Sequence, residues 1–332
     1  MRYPIRIAAC TILMIACCSG VAFSQVSGDA GKEFNQAFYA ELQTSEDELM
    51  QFGDSIKPLF ENMQKTGQSK IMAAVTERMK GASSPPNPEE MMKLGMSVMM
   101  DEMIGMQKPV NDKAVEFFSE EGRQKLHLRF FQLKEGLMDR LGSTDDLEVT
   151  QTAFGFDMMQ IMGGYPDFLE LSPEQRELVT RQQKETSVEL LTQVTQASMK
   201  MLTQNPGKLV EITTLAKKFS EAQTDGEREE IAKKMQEVNK DMLKDVLPEM
   251  KQILIKGHED FHRALTDVQK AKIKAVMADM PDYMKKALDK ADKGGTLSGL
   301  DSWVPGTGVP GINPNREAPR QRPQRERTFP EN

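Results

Sequence analysis

A pair of histidines one helical turn apart is the first feature of this 332-residue chain that could carry chemistry. The residues from His258 to His262 read His-Glu-Asp-Phe-His and match HExxH, in which two imidazoles bind zinc and the glutamate is a general base. The charged Asp260 is atypical of zinc proteases, and no later histidine offers a third ligand. Gly257 is a candidate helix C-cap, which would leave the motif about two turns of helix. We therefore treat His258 and His262 as weak metal candidates and predict no catalytic site.

A second set of candidates is a stripe of methionines in the segment that follows Pro88. The spacing of three and four residues places these side chains on one face of a helix. Three interpretations stay open: thioethers can fill a core, form an adaptable apolar binding face for other proteins, or bind Cu(I) as soft ligands. The residues of this candidate binding face are Met92, Met96, Met99 and Met103.

Two short patterns indicate where the helices that carry these residues begin. Each pattern has a leucine, a hydroxyl residue and, three positions after the hydroxyl, a glutamine. The hydroxyl can accept a hydrogen bond from the glutamine's backbone N–H, and the glutamine side chain can reach back, which closes a capping box. Capping alone predicts a larger loss of stability for Thr266→Ala than for Gln269→Ala. The residues to which we assign this capping role are Leu171, Ser172 and Gln175 in one copy, and Leu265, Thr266 and Gln269 in the other.

The repeated LTxxQ pattern resembles that of the periplasmic family of helical stress proteins of the Spy and CpxP type. Phe118 to Gly122 is a degenerate third copy, in which glycine replaces the glutamine. The resemblance covers at most Asn111 to Lys293. It implies a homodimer of helical hairpins that binds unfolded proteins or an envelope partner without ATP. We expect no cofactor.

The first 24 residues predict that the chain is exported. Arg2 and Arg6 precede an apolar core too short to span a bilayer, as in a secretory signal peptide. Cleavage near Ser24 predicts a periplasmic or secreted protein, and lipoprotein anchoring at Cys17 is the alternative. All 3 cysteines lie in this segment, so the cleaved chain would have neither a disulfide nor a reactive thiol.

Composition limits the fold class and the kind of partner. The net charge of -7 argues against nucleic acid as a partner, and no later segment is apolar for long enough to span a membrane. With 28% charged and only 6% aromatic residues, we predict an all-α fold of long amphipathic helices in hairpins or an irregular bundle. The predicted regions are a Met-rich helical part at 25–110, the LTxxQ-like part at 111–293, and a disordered Pro/Gly/Arg-rich tail at 294–332.

These observations favour a helical binding protein of the cell envelope, an ATP-independent chaperone or stress-response protein that contacts other proteins through apolar helix faces. One alternative is an envelope protein that binds Cu(I) or zinc through the methionines or the His258/His262 pair. A structural envelope scaffold is the other. No enzymatic activity is expected, because no other catalytic constellation or phosphate-binding loop is found in the sequence.

Overall fold

The computed structural model describes residues 29–81, 87–143, 147–222 and 244–291, together with residues 224, 227, 230, 231, 234, 235, 237 and 238. All regular structure within these residues is helical, which confirms the predicted all-α fold. Among them, no helix combines the length and apolarity that crossing a bilayer requires. The predicted signal peptide with Cys17 and the predicted tail at 294–332 lie outside the described residues.

The helices are numbered here in chain order. They are α1 Asp29–Leu42, α2 Glu46–Gly81, α3 Pro88–Gly105, α4 Gln107–Phe117, α5 Glu120–Leu141, α6 Leu147–Gly163, α7 Pro173–Gln204, α8 Pro206–Glu221, α9 Leu247–Ala264, α10 Asp267–Ala278 and α11 Asp282–Ala291. A single 3-10 turn, Asp167–Leu169, precedes α7.

Local capping explains where several of these helices begin. Asn87 caps α3 by accepting a hydrogen bond from the N–H of Glu89 at 3.0 Å, with Pro88 in the first turn. Ser119 caps α5 by accepting from the N–H of Gly122 at 3.1 Å, so the degenerate third copy keeps the cap without a glutamine. These side chains satisfy backbone N–H groups that a helix start otherwise leaves unpaired.

The helices pack as an irregular bundle around one main core. Helix α3 lies between α2 and α7, α5 packs on α6, and α9 packs chiefly along α7 while also touching α5 and α6. The main hydrophobic core draws buried side chains from α1, α3, α5, α6, α7, α9 and α11. This arrangement brings the middle of α5 against the last turns of α9.

Two glycines lie at positions other than those the sequence suggests. Helix α9 continues through Gly257, so this glycine is not a C-cap. A Cβ there would lie 2.6 Å from the side chain of Thr186, so Gly257 is the residue that allows α9 and α7 to approach closely. Gly155, which the sequence suggests to be part of a connector, lies inside α6. The predicted division between residues 110 and 111 falls within α4, whose first turn accommodates Pro109.

Candidate functional site

The two full LTxxQ copies form matching caps at the starts of α7 and α10. At α10, Thr266 N–H donates to Oε1 of Gln269 at 2.9 Å, and Gln269 N–H donates to Thr266 Oγ1 at 3.3 Å. At α7, the N–H of Ser172 donates to Oε1 of Gln175 at 3.1 Å, and the N–H of Gln175 donates to Ser172 Oγ at 3.2 Å. Both glutamine side chains therefore reach back to the backbone of their own cap residue.

The same two glutamines also bind each other. Nε2 of Gln175 donates to Oε1 of Gln269 at 3.0 Å, and Nε2 of Gln269 donates to Oε1 of Gln175 at 3.1 Å. Each amide also reaches the chain just before the other motif, with Gln175 donating to the carbonyl of Ala264 at 3.2 Å and Gln269 to that of Glu170 at 3.4 Å. The two motifs thus make equivalent contacts with each other, as in an approximately two-fold symmetric pair.

The motif leucines complete this junction with an apolar contact. Leu171 and Leu265 are buried in one cluster with Phe131 and Phe261. All six predicted motif residues therefore meet at one place, where the start of α10 packs on the start of α7. The arrangement joins two helix starts and offers no reactive group.

The four methionines of the candidate binding face are packed inside the protein. Met96 and Met99 are buried, in the main core and in a second cluster against α2, respectively. Met92 and Met103 are half-buried against these clusters. Because α3 has neighbours on two sides, its methionines do not form an open face, and Met96 and Met99 lie in different clusters.

The histidine pair faces a carboxylate that the motif itself does not contain. Glu135, from the middle of α5, points between His258 and His262. Its Oε2 accepts a hydrogen bond from Nε2 of His262 at 2.8 Å, while its Oε1 lies 3.6 Å from Nδ1 of His258. The two imidazole centroids are 4.5 Å apart. Among the described residues, these three form a group that could hold a metal ion, with ligand atoms within 4.8 Å of one another.

The cluster is buried at one end and open at the other. The side chain of Glu135 is 4% exposed, that of His258 14% and that of His262 30%. Burial lowers the pKa of His258 to about 4, even though the nearby Glu135 carboxylate acts in the opposite direction. The imidazole of His258 is therefore neutral at neutral pH.

A second buried charged group lies beside the cluster. Lys134 Nζ forms an ion pair with Asp157 Oδ1 at 2.6 Å and donates a hydrogen bond to Gln160. Nε2 of Gln183 donates to the backbone carbonyl of Asp157 at 2.8 Å, and the hydroxyl of Tyr165 donates to Gln183 Oε1 at 3.2 Å. This network ties α5, α6 and α7 together through polar contacts in the interior.

A small cavity separates this network from His258. Its volume is about 20 Å³, enough for one water molecule, and its lining includes Lys134, Asp157, Gln182 and His258. A cavity of this size cannot admit an organic substrate. Polar side chains share its lining with apolar ones such as Leu254 and Phe261.

Sequence reasoning found the histidines but missed their partner. Residues 131–138 of α5 are all buried, so Lys134 and Glu135 lie in the interior, although charged residues are seldom fully buried. The remaining histidine, His127, lies two turns earlier on α5 and is not a member of the cluster. The burial of Lys134 and Glu135 depends on how α5 packs against its neighbours, so it can be recognised only in the tertiary structure.

Comparisons with known proteins give no assignment. No protein-family model, no curated protein and no solved structure matches the chain. The resemblance to the LTxxQ family accordingly rests on the two motifs.

Proposed function

We propose that this chain is an exported helical protein of the cell envelope that binds other proteins without ATP, as a chaperone or a stress-response protein. The observation that supports this proposal best is the reciprocal pairing of Gln175 with Gln269. The pairing makes one structural unit of the two sequence motifs on which the resemblance to a family of envelope binding proteins rests. The role is binding and not catalysis.

The position of the methionines changes which surface this function would use. With Met96 and Met99 buried, the binding surface has to be formed by other helix faces. Met72 and Met79 lie two turns apart on α2 and are 42% and 57% exposed. Flexible thioethers on an open helix face adapt to apolar segments of different shape, as contact with unfolded clients requires.

Aggregation of a chemically denatured client, followed by light scattering without nucleotide, tests the proposal. The purified protein is expected to suppress aggregation at near-stoichiometric ratios, and Met72→Gln combined with Met79→Gln is expected to reduce that suppression. Val268→Gln is the matched control, because Val268 is 69% exposed and belongs to a different helix, α10. Absence of suppression by the unmodified protein would exclude the holdase role and favour the structural scaffold.

A second candidate function, metal handling, is favoured by one specific observation. The ligand atoms of Glu135, His258 and His262 lie within 4.8 Å of one another, whereas Met96 and Met99 are buried in two different clusters. The metal candidate is therefore the histidine cluster, and a divalent ion replaces Cu(I) as its expected occupant.

A further inference from the structure

We propose that Glu135, His258 and His262 bind one divalent transition-metal ion, zinc in the first instance, with a water molecule completing the coordination. The site is formed by α5 and the last turns of α9, which makes the metal a clip between two helices of the bundle. This inference is separate from client binding and can be tested without any client.

The geometry of the three side chains is close to that of a metal site. In a tetrahedral zinc site, metal–ligand bonds of about 2.0–2.2 Å place neighbouring ligand atoms about 3.3–3.6 Å apart. The separation of 3.6 Å between Glu135 Oε1 and His258 Nδ1 is close to this value. The hydrogen bond of 2.8 Å between Glu135 and His262 is shorter, so zinc has to displace its proton and separate the two atoms slightly.

Hydrogen bonding within the protein leaves the cluster incomplete. Glu135 Oε1 and His258 Nδ1 are both buried atoms without a hydrogen-bond partner. A buried carboxylate oxygen and a buried imidazole nitrogen each carry a desolvation penalty when unpaired. A single cation between them would satisfy both atoms at once, which a histidine–glutamate hydrogen bond at His262 does not do.

The surrounding charges permit a cation at this position. Lys134 is adjacent to Glu135 and would repel a metal, but its ammonium group is paired with Asp157 at 2.6 Å. Asp139 follows Glu135 by one turn, and its exposed carboxylate adds negative charge on the solvent side. The partial exposure of His262 leaves a route for the ion and space for a water ligand.

The position of Glu135 removes one objection to a metal site at the HExxH match, which is the lack of a third ligand. The sequence has no histidine after His262 that could be the third ligand, but Glu135, 127 residues before His262, is brought to the pair by the packing of α5 on α9. Two imidazoles and one carboxylate are a ligand set that zinc accepts, while calcium and magnesium prefer oxygen ligands. Zinc is therefore expected to bind and magnesium is not.

Isothermal titration of the tag-free, metal-free protein with zinc chloride tests the proposal. We expect one zinc per chain with a Kd of about 1 µM or below. Glu135→Gln and His262→Gln should each weaken binding by more than about tenfold, because each removes a direct ligand. His127→Gln is the matched control, because it removes a histidine of α5 that lies outside the cluster, keeps the three ligands and should bind zinc like the unmodified protein.

Two further measurements keep the proposal testable if a ligand variant folds poorly. Zinc, but not magnesium, should raise the Tm of the unmodified protein, since a ligand that binds only the folded state stabilises it. Cobalt should give the intense visible absorption of a tetrahedral site in the unmodified protein. Absence of stoichiometric zinc binding, or equal zinc affinity in Glu135→Gln and His127→Gln, would overturn the assignment.

Discussion

The side-chain amides of Gln175 and Gln269 hydrogen-bond to each other in both directions, at 3.0 and 3.1 Å. Each glutamine therefore does two things at once, since it closes its own capping box and holds the other motif in register. The two residues are 94 positions apart in sequence. The glutamines of a local helix-capping pattern thus also form a long-range contact, and this contact orients α10 on α7.

This double role changes the expected order of mutational effects at the motif. Thr266→Ala removes a cap and should lower the free energy of unfolding by about 0.5–2 kcal/mol. Gln269→Ala should cost more, about 1–3 kcal/mol beyond the cap, because Gln175 and the carbonyl of Leu169 lose their buried partner. Chemical denaturation measures both changes.

The exposed capping box at the start of α2 is the control for this comparison. Ser45 and Glu48 exchange the same two hydrogen bonds, at 3.2 and 3.0 Å, but make no long-range pair. Glu48→Ala should therefore show only the loss of a cap.

A double-mutant cycle on Gln175 and Gln269 should give a coupling free energy of about 0.5–3 kcal/mol, and additive changes in the free energy of unfolding would contradict the pairing.

Much of the fold could be predicted from the sequence because its helix starts are encoded locally. The hydroxyl and glutamine spacing at Ser172 and Thr266 indicates a helix start without knowledge of any neighbour. At Gly257 the sequence-based prediction is wrong because glycine, besides ending helices, also permits close packing between them. Only the position of Thr186 on α7 shows which of these roles Gly257 has.

Two of the three residues in the candidate metal cluster could be predicted from the sequence. His258 and His262 share one helix face because they are four residues apart, so the sequence alone is enough to place them together once the segment is predicted to be helical. Glu135 is joined to them by the packing of α5 on α9 and has no sequence relation to the motif. The methionine stripe shows the same limit, since spacing placed Met92 to Met103 on a helix but did not show that both sides of α3 are covered.

Gly257→Ala should destabilise the protein although alanine favours helices. The new methyl group would lie 2.6 Å from Thr186, whose β-branched side chain has little freedom to move. We expect a loss of about 1–3 kcal/mol from overpacking. Gly53→Ala is the matched control, because a Cβ at this helical glycine meets no atom within 4 Å and should be neutral or stabilising. Adding Thr186→Ala should recover part of the loss, and failure to do so would argue against a clash between α9 and α7.

The buried Lys134–Asp157 pair should be far more sensitive to substitution than an exposed pair. Lys134→Met leaves the Asp157 carboxylate without its counter-ion in the interior, at a cost of about 3–5 kcal/mol. Lys184→Met is the comparison, because Lys184 pairs at the same distance of 2.6 Å with an Asp101 side chain that is 58% exposed, and its loss should cost about 0–1 kcal/mol. Combining Lys134→Met with Asp157→Leu should restore most of the stability. A double variant as unstable as the single one would show that the charge is not the cause.

His127 should make the protein less stable as the solution becomes acidic. Burial lowers the pKa of His127 below 6.5, with Asp167 opposing this shift and Arg123 adding to it. Between pH 6.5 and the lower folded-state pKa, the unfolded chain binds a proton that the folded chain does not, so protonation favours unfolding. The contribution of His127 to the free energy of unfolding is therefore complete above pH 6.5 and is lost as the pH falls.

His127→Gln removes the group that binds this proton in the unfolded chain. The slope of the free energy of unfolding against pH should therefore flatten by up to about 1.4 kcal/mol per pH unit. Urea denaturation at pH 4.5 to 7.5, in the presence of a chelator, measures the slope; equal slopes for both proteins would mean that His127 titrates normally in the folded state.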